Sequence, residues 1–242
     1  MQYSIAMVAI VTGGSKGIGL GIARAFVARG MQVVISARNE RELAKAVDEL
    51  GVGDRVAAVA ADVQRAEDAD RLIKETVARF GGLDVLVNNA GLGTFARVAD
   101  MSIEAWRQVI DTNLSGVFYC CHAAIPELRR RGGGYIVNIS SLAGKNSFVG
   151  GAAYCASKAG LNAFSEALMQ ELRYDNIRVS YVMPGSVATD FGVVDGNDRN
   201  SPNDSWKLTA DDVARVVVDL VTTDSRALAS RVEMRPSKPP RK

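Results

Sequence analysis

Thr12-Gly13-Gly14-Ser15-Lys16-Gly17-Ile18-Gly19 decides how the rest of this chain is read. The stretch follows the apolar run Met7 to Val11 and leads into the helical segment Leu20 to Arg29. A strand, a glycine turn and a helix in that order make a seat for a pyrophosphate. Glycine permits the tight turn and lets the backbone approach the ligand, and the helix N-terminus offers N–H donors and positive potential. No Gly-Lys-Ser or Gly-Lys-Thr follows, so the turn is not the phosphate loop of a triphosphatase.

Outward from this turn, short runs rich in Val and Ile alternate with helical segments. After Met7 to Val11 the predicted strands are Val33 to Ala37, Val56 to Ala60, Val85 to Asn88, Tyr135 to Ile139, Val179 to Met183 and Arg231 to Met234. Between them, Leu72, Ile73, Thr76, Val77 and Phe80 form one apolar stripe, and Leu161, Phe164, Leu168 and Leu172 form another. The strands are continuous apolar runs rather than alternating ones, so both faces of the sheet are expected to be covered. The expectation is an α/β fold: one domain with a doubly wound parallel sheet of about seven strands in a three-layer αβα sandwich. Residues 1–235 form that domain, with a polar lid at about 191–205 and a basic tail at 236–242 that holds three of the six prolines.

Composition excludes several classes. Of 242 residues, 48% are apolar and 23% charged, as in ordinary globular proteins. The net charge is +2, but the last eight residues carry four of the 29 basic groups and no acid, leaving 25 basic against 27 acidic in the body. Such a balance argues against a nucleic-acid or anionic-membrane surface. No run of about 18 apolar residues suggests a membrane span. Ile5 to Val11 lacks the basic lead-in and cleavage site of a signal peptide and reads as a buried strand. The three cysteines, Cys120, Cys121 and Cys155, are odd in number and lack CxxC spacing, which points to a reducing compartment with the cytoplasm as default. Cys120-Cys121-His122 reads as helix packing and not as a metal site, since adjacent helical residues diverge and His122 is the only histidine.

The glycine turn, Asn88-Asn89-Ala90-Gly91 after the fourth strand and Tyr154-x-x-x-Lys158 together resemble the short-chain dehydrogenase/reductase family. Asp62 after the third strand, Asn113 in a helix, Ser141 after the fifth strand and Pro184-Gly185 after the sixth stand in the same order as in that family. The resemblance spans Met7 to Thr189 and implies a Rossmann-type fold. It further implies an oxidoreductase acting on CH–OH groups, which moves hydride between a nicotinamide and a small carbonyl or secondary alcohol. Gly13, Ser15, Lys16, Gly17, Ile18 and Gly19 would then cradle the cofactor. Asp62 and Val63 would hold the adenine, with helix capping as the plainer reading of Asp62. Asn89, Ala90 and Gly91 would line the ribose, with strand bracing as the reading of Asn88. Pro184, Gly185, Val187 and Thr189 would wall the nicotinamide.

By the same resemblance Tyr154 is the general acid/base and Ser141 donates to the substrate oxygen. Lys158 binds the nicotinamide ribose, and Asn113 holds a relay water. Tyr154 and Lys158 are four apart on a helix and share a face. An ammonium about 5 Å from a phenol at an effective dielectric of about 20 contributes roughly 3 kcal/mol, enough to lower the tyrosine pKa of about 10 by about 2 units. A serine hydrolase is set aside because His122, the only histidine, does not fall where a triad histidine is expected in such folds.

Cofactor choice follows from the end of the second strand. NAD-dependent folds place an acid there, whereas this chain has Ala37 followed by Arg38, with Lys16 in the glycine turn. NADP(H) is therefore expected. Two alternatives accompany the general reductase: a 3-oxoacyl thioester or acyl-carrier-protein reductase, and an NADP(H)-sensing protein without chemistry. For the first, Arg129, Arg130 and Arg131 are docking candidates near the site mouth. Against it, Asp175 stands where such relatives carry a base, and the last strand ends Arg235-Pro236-Ser237-Lys238. The resemblance also implies a homodimer or homotetramer through Ser102 to Arg130 and Ala153 to Leu172.

Overall fold

A computed structural model describes residues 6–51, 53–189, 191 and 204–240. In chain order the main elements are β1 (Val8–Thr12), α1 (Gly17–Ala28), β2 (Gln32–Ala37), α2 (Glu40–Leu50), β3 (Val56–Ala60), α3 (Ala66–Phe80) and β4 (Val85–Asn88). They continue with α4 (Ile103–Ile110), α5 (Gly116–Arg131), β5 (Gly134–Ile139), α6 (Ala152–Leu172), β6 (Ile177–Pro184), α7 (Ala210–Thr222) and β7 (Arg231–Met234). Each expected strand is present. The first lies one residue later than the apolar run suggests, and the sixth is longer at both ends.

All seven strands pair in parallel in the order β3-β2-β1-β4-β5-β6-β7. Alternate residues of each central strand serve opposite faces. Ala9 and Val11 enter one core with Val33, Ile35, Val85 and Val87, while Ile10, Val34 and Leu86 enter the other. Helices α1 and α7 close the first face through Ile22, Phe26, Val213 and Val217. Helices α3, α5 and α6 close the second through Leu72, Leu128 and Leu161. Two-sided cover explains the continuous apolar runs. The chain winds one way from β1 to β3 and the other way from β4 to β7, so the carboxyl ends of β1 and β4 part at a topological switch point, where α/β sheets bind ligands.

Left-handed glycines end the helices where the sequence leaves its apolar rhythm: Gly51, Gly81 and Gly132 adopt φ of 62°, 81° and 88° at the C-termini of α2, α3 and α5. Between α4 and α5 the helix continues without a break but widens to a π turn at Asp111–Ser115. Cys120 and Cys121 are buried in the second core. Among the described residues no helix is long and apolar enough to cross a membrane.

The expected lid falls mostly on residues 192–203, which lie outside the described residues. Of the tail, residues 236–240 are described and adopt neither helix nor strand. Its first residue passes the end of β6: Gly185 N–H donates to Met234 O at 2.8 Å, and a side chain at Gly185 would meet Pro236.

The arginine run corrects an expectation. Arg129, Arg130 and Arg131 end α5 and precede β5, so they sit at the amino edge of the sheet, whereas Ser141 follows its carboxyl edge. They are also engaged. Arg129 pairs with Asp175 at 2.7 Å, Arg130 with Glu127 and Arg131 with Asp84 at 2.8 Å. Asp84 is mostly buried and also accepts from the Val8 N–H at 2.8 Å, tying the starts of β1, β4 and β5 to the end of α5. Asp84→Ala should cost about 1–3 kcal/mol in equilibrium urea unfolding, because it strands a guanidinium and a backbone N–H. Asp175→Ala, at a more exposed pair, should cost less than about 1 kcal/mol. Equal losses would contradict this ranking.

Candidate active site

The glycine turn is built so that no side chain could replace its key glycines. Gly13 and Gly17 adopt φ of 62° and 54°, and a Cβ at Gly13 would lie 2.9 Å from Ala90 Cα. At Gly19 a Cβ would collide with Gly13 O and come within 2.5 Å of Asn89 Nδ2. The cap of α1, Lys16, supplies no side-chain acceptor, and the first turn holds no acid. That end of α1 is therefore suited to an external anion. Thr189, from the loop after β6, lies against the same turn: a Cβ at Gly17 would be 3.4 Å from Thr189 Cγ2.

Thr12 and Asn89 lock this turn to β4. The Thr12 hydroxyl accepts from Asn89 N at 3.0 Å and Ala90 N at 3.1 Å and donates to Val87 O. Asn89 Nδ2 in turn donates to Thr12 O at 2.9 Å and Gly13 O at 3.1 Å. The Asn89 amide is thus committed to the turn. Asn88 does brace strands, donating to Asn138 Oδ1 at 2.8 Å. Asp62 is not a helix cap: α3 is preceded by Arg65, and Asp62 Oδ1 accepts from Gln64 N at 3.1 Å in a local turn. Val63 packs against the bare α carbon of Gly116.

Ser141, Tyr154, Lys158 and Asn113 converge at the carboxyl ends of β4 and β5. Ser141 caps a short 3₁₀ turn, Leu142–Gly144, accepting from Ala143 N at 3.1 Å. Its hydroxyl also favours the Tyr154 phenolate. Lys158 is 4% exposed; its Nζ donates to Ile139 O at 2.8 Å and stands 5.8 Å from the centre of the Tyr154 ring. Asn113 lies in the π turn, completely buried. Its Oδ1 accepts from Leu92 N at 2.7 Å, and its Nδ2 donates to Leu92 O at 2.8 Å and Ser157 Oγ at 3.0 Å. A carboxamide so engaged positions the loop after β4 against α6.

The electrostatics differ from the sequence estimate. Burial pushes the Tyr154 phenol up to about 12, against the pull of the Ser141 hydrogen bond. Burial likewise lowers the Lys158 ammonium to about 8. Desolvation outweighs the neighbouring charge here because the ammonium is aimed at Ile139 O and is itself out of water. At neutral pH the tyrosine therefore keeps its proton and most of the lysine keeps its charge.

Two features escaped the sequence reading. Glu42, in the first turn of α2, meets both Lys16 Nζ at 3.6 Å and Ser15 Oγ at 3.4 Å. Its signal was only a carboxylate four residues beyond Arg38, which is exposed just past β2. The second is a group of phenylalanines around Tyr154: Phe95 stands edge-on at 5.7 Å and Phe191 tilted at 5.6 Å.

The pattern described as short chain dehydrogenase matches residues 7–200, and the chain belongs to that family of oxidoreductases. A 3-oxoacyl-[acyl-carrier-protein] reductase of Synechocystis sp. is 41% identical over 193 residues, covering 79% of this chain and 78% of its own. Among solved structures, a closed serine dehydrogenase complexed with NADP+ superposes with a TM-score of 0.88 at 32% identity, over 94% of each chain. A metagenomic short-chain oxidoreductase in complex with NADP gives 0.82 at 36% identity, over 96% of this chain and 98% of that one.

Gly19→Ala should abolish binding of a dinucleotide by displacing Gly13 or the Asn89 amide, each of which shapes the turn. Calorimetric titration with NADP+ is the check, with circular dichroism to show that the sheet persists. Unchanged affinity would show that the turn can yield.

Proposed function

We propose that this protein is an NADP(H)-dependent oxidoreductase acting on a carbonyl or secondary alcohol, with Tyr154 as general acid/base. The observation that carries this reading is the Tyr154 ring beside the buried Lys158, whose Nζ lies 5.8 Å from the ring centre, with the Ser141 hydroxyl favouring the phenolate. The bare cradle of Gly13, Gly17 and Gly19, the uncapped start of α1 and the relatives' bound NADP support the cofactor. Ser15, Lys16, Ile18, Arg38, Asp62, Val63, Ala90 and Gly91 would hold its adenosine and phosphates. Pro184, Gly185, Val187 and Thr189 would enclose the nicotinamide, which supplies or takes up hydride when bound.

A phenol held near 12 is an acid at neutral pH. Tyr154 would therefore donate its proton to a carbonyl oxygen, and Ser141 would stabilise charge on that oxygen. As the phenolate forms, the Lys158 charge favours it, so the lysine acts mainly in the transition state. The same burial opposes the deprotonated tyrosine that alcohol oxidation needs.

Tyr154→Phe should lower kcat by about 100-fold or more, as loss of a general acid does. NADPH affinity should be nearly unchanged. A variant retaining more than a tenth of the wild-type rate in a carbonyl panel would rule out Tyr154 as the acid.

For the 2′-phosphate, Lys16 and Arg38 provide positive charge where Ala37 provides no acid. The Lys16–Glu42 pair is exposed, so a phosphate can displace the carboxylate at little cost. A preference for NADPH over NADH of roughly 10- to 1,000-fold in kcat/KM is expected from charge-assisted bonds at a wet site. Arg38→Ala should erode most of it with little change in NADH turnover. Equal kcat/KM values in the wild type would show that these cations do not read the phosphate.

A second reading, reduction of 3-oxoacyl thioesters, is supported by the 41% identity to the Synechocystis enzyme. It loses the docking role first given to Arg129, Arg130 and Arg131. The exposed Val98, Ile103, Trp106 and Phe118 on and beside α4 and α5 support a homodimer or homotetramer.

A further inference from the structure

The rings around Tyr154 come from three different loops. Phe95 follows β4, Phe148 follows β5 and Phe191 follows β6. Phe95 contacts both Tyr154 and Phe148, each at 5.7 Å between ring centres, and Phe191 reaches Tyr154 from another side at 5.6 Å. Gly93 lets them close: a Cβ there would lie 2.9 Å from Phe191 and 3.0 Å from Phe95. The loops carrying Phe95 and Phe148 are joined by an Ala96 N–H to Gly150 O bond of 2.9 Å.

Packing alone does not account for this cluster. Phe148 and Phe191 are 46% and 45% exposed, whereas rings that merely fill a core are buried. Beyond Phe148 opens a groove of about 610 Å³ walled by Ala96, Val98, Val149 and Gly150, with Arg97 the only charged side chain among the described residues that line it. Among the described residues the cation next to Tyr154 is Lys158, which is buried and bonded to Ile139 O rather than placed to take a carboxylate beside the reacting carbon.

Resting on the function proposed above, we infer that the substrate is an aryl ketone, whose aromatic ring enters the Phe95–Phe148–Phe191 cage while its oxygen meets Tyr154 and Ser141. Edge-to-face and offset contacts between rings add to plain apolar burial, so an aromatic substituent gains over a saturated one of equal size. The groove past Phe148 leaves room for a further apolar substituent on that ring.

The test compares phenyl with cyclohexyl at constant size, with two readouts. Binding of 1-phenylethanol and 1-cyclohexylethanol to the NADP+-saturated protein is measured by calorimetry. Oxidation of NADPH is followed with acetophenone, cyclohexyl methyl ketone and a 3-oxobutanoyl thioester. The phenyl compounds should be favoured by about tenfold, equivalent to about 1.4 kcal/mol, in both Kd and kcat/KM. Phe148→Ala should erase that preference and Phe148→Tyr should keep it. Reduction of ketones without a phenyl preference, or a preference that survives Phe148→Ala, would overturn the aromatic cage while leaving the oxidoreductase standing. Preferential phenyl binding without any NADPH oxidation would keep the cage and overturn the reduction. A thioester outrunning acetophenone would also overturn the aryl assignment.

Discussion

The parting of β1 and β4 is held by the Thr12 hydroxyl, which accepts two backbone N–H groups from Asn89 and Ala90 and returns a bond to Val87 O. Without such a clamp two parallel strands that diverge at their carboxyl ends would leave buried donors unsatisfied. With it, the crevice is preformed, and the glycine turn is presented on a frame rather than on a free loop. The Asn89 amide completes the frame by gripping the turn from the other strand. Everything in the site is referenced to this corner, from Thr189 over Gly17 to Gly91 near Asn113 and Lys158.

Burial then sets the chemistry. The same burial raises the phenol and lowers the ammonium, so the two shifts run against the charged form of each group. Coulomb attraction at helical spacing is a sound principle, yet it ranks second wherever both groups lose their water. Ser141 is the counterweight, pulling the phenol back down.

The fold was legible because the sheet is covered on both faces: strands such as Val8–Thr12 and Val85–Asn88 are apolar at every position but the last. Ser141, Tyr154 and Lys158 were legible through their spacing and order. What could not be read depended on partners distant in sequence. The amides of Asn89 and Asn113 carry no mark of the backbone groups they bind, Arg129 to Arg131 gave no sign of which end of the sheet they occupy, and Glu42 looked like any surface acid on α2. The aromatic group is a similar case, since Phe95, Phe148 and Phe191 are adjacent only after three loops converge.

The π turn at Asp111–Ser115 has a mechanical meaning of its own. A π turn carries one more residue per hydrogen-bonded ring than the α form, so the helical segments on either side are out of phase by about 100°, one α-helical step. Segment α5 stays registered to the core through Gly116 against Val63, while α4 is free to present a different face outward. Removing one residue from the turn would restore a uniform helix and swing Asn113 away from Leu92. The irregularity thus works as a phase shifter, letting a single rod satisfy the interior at one end and the loop over the active site at the other.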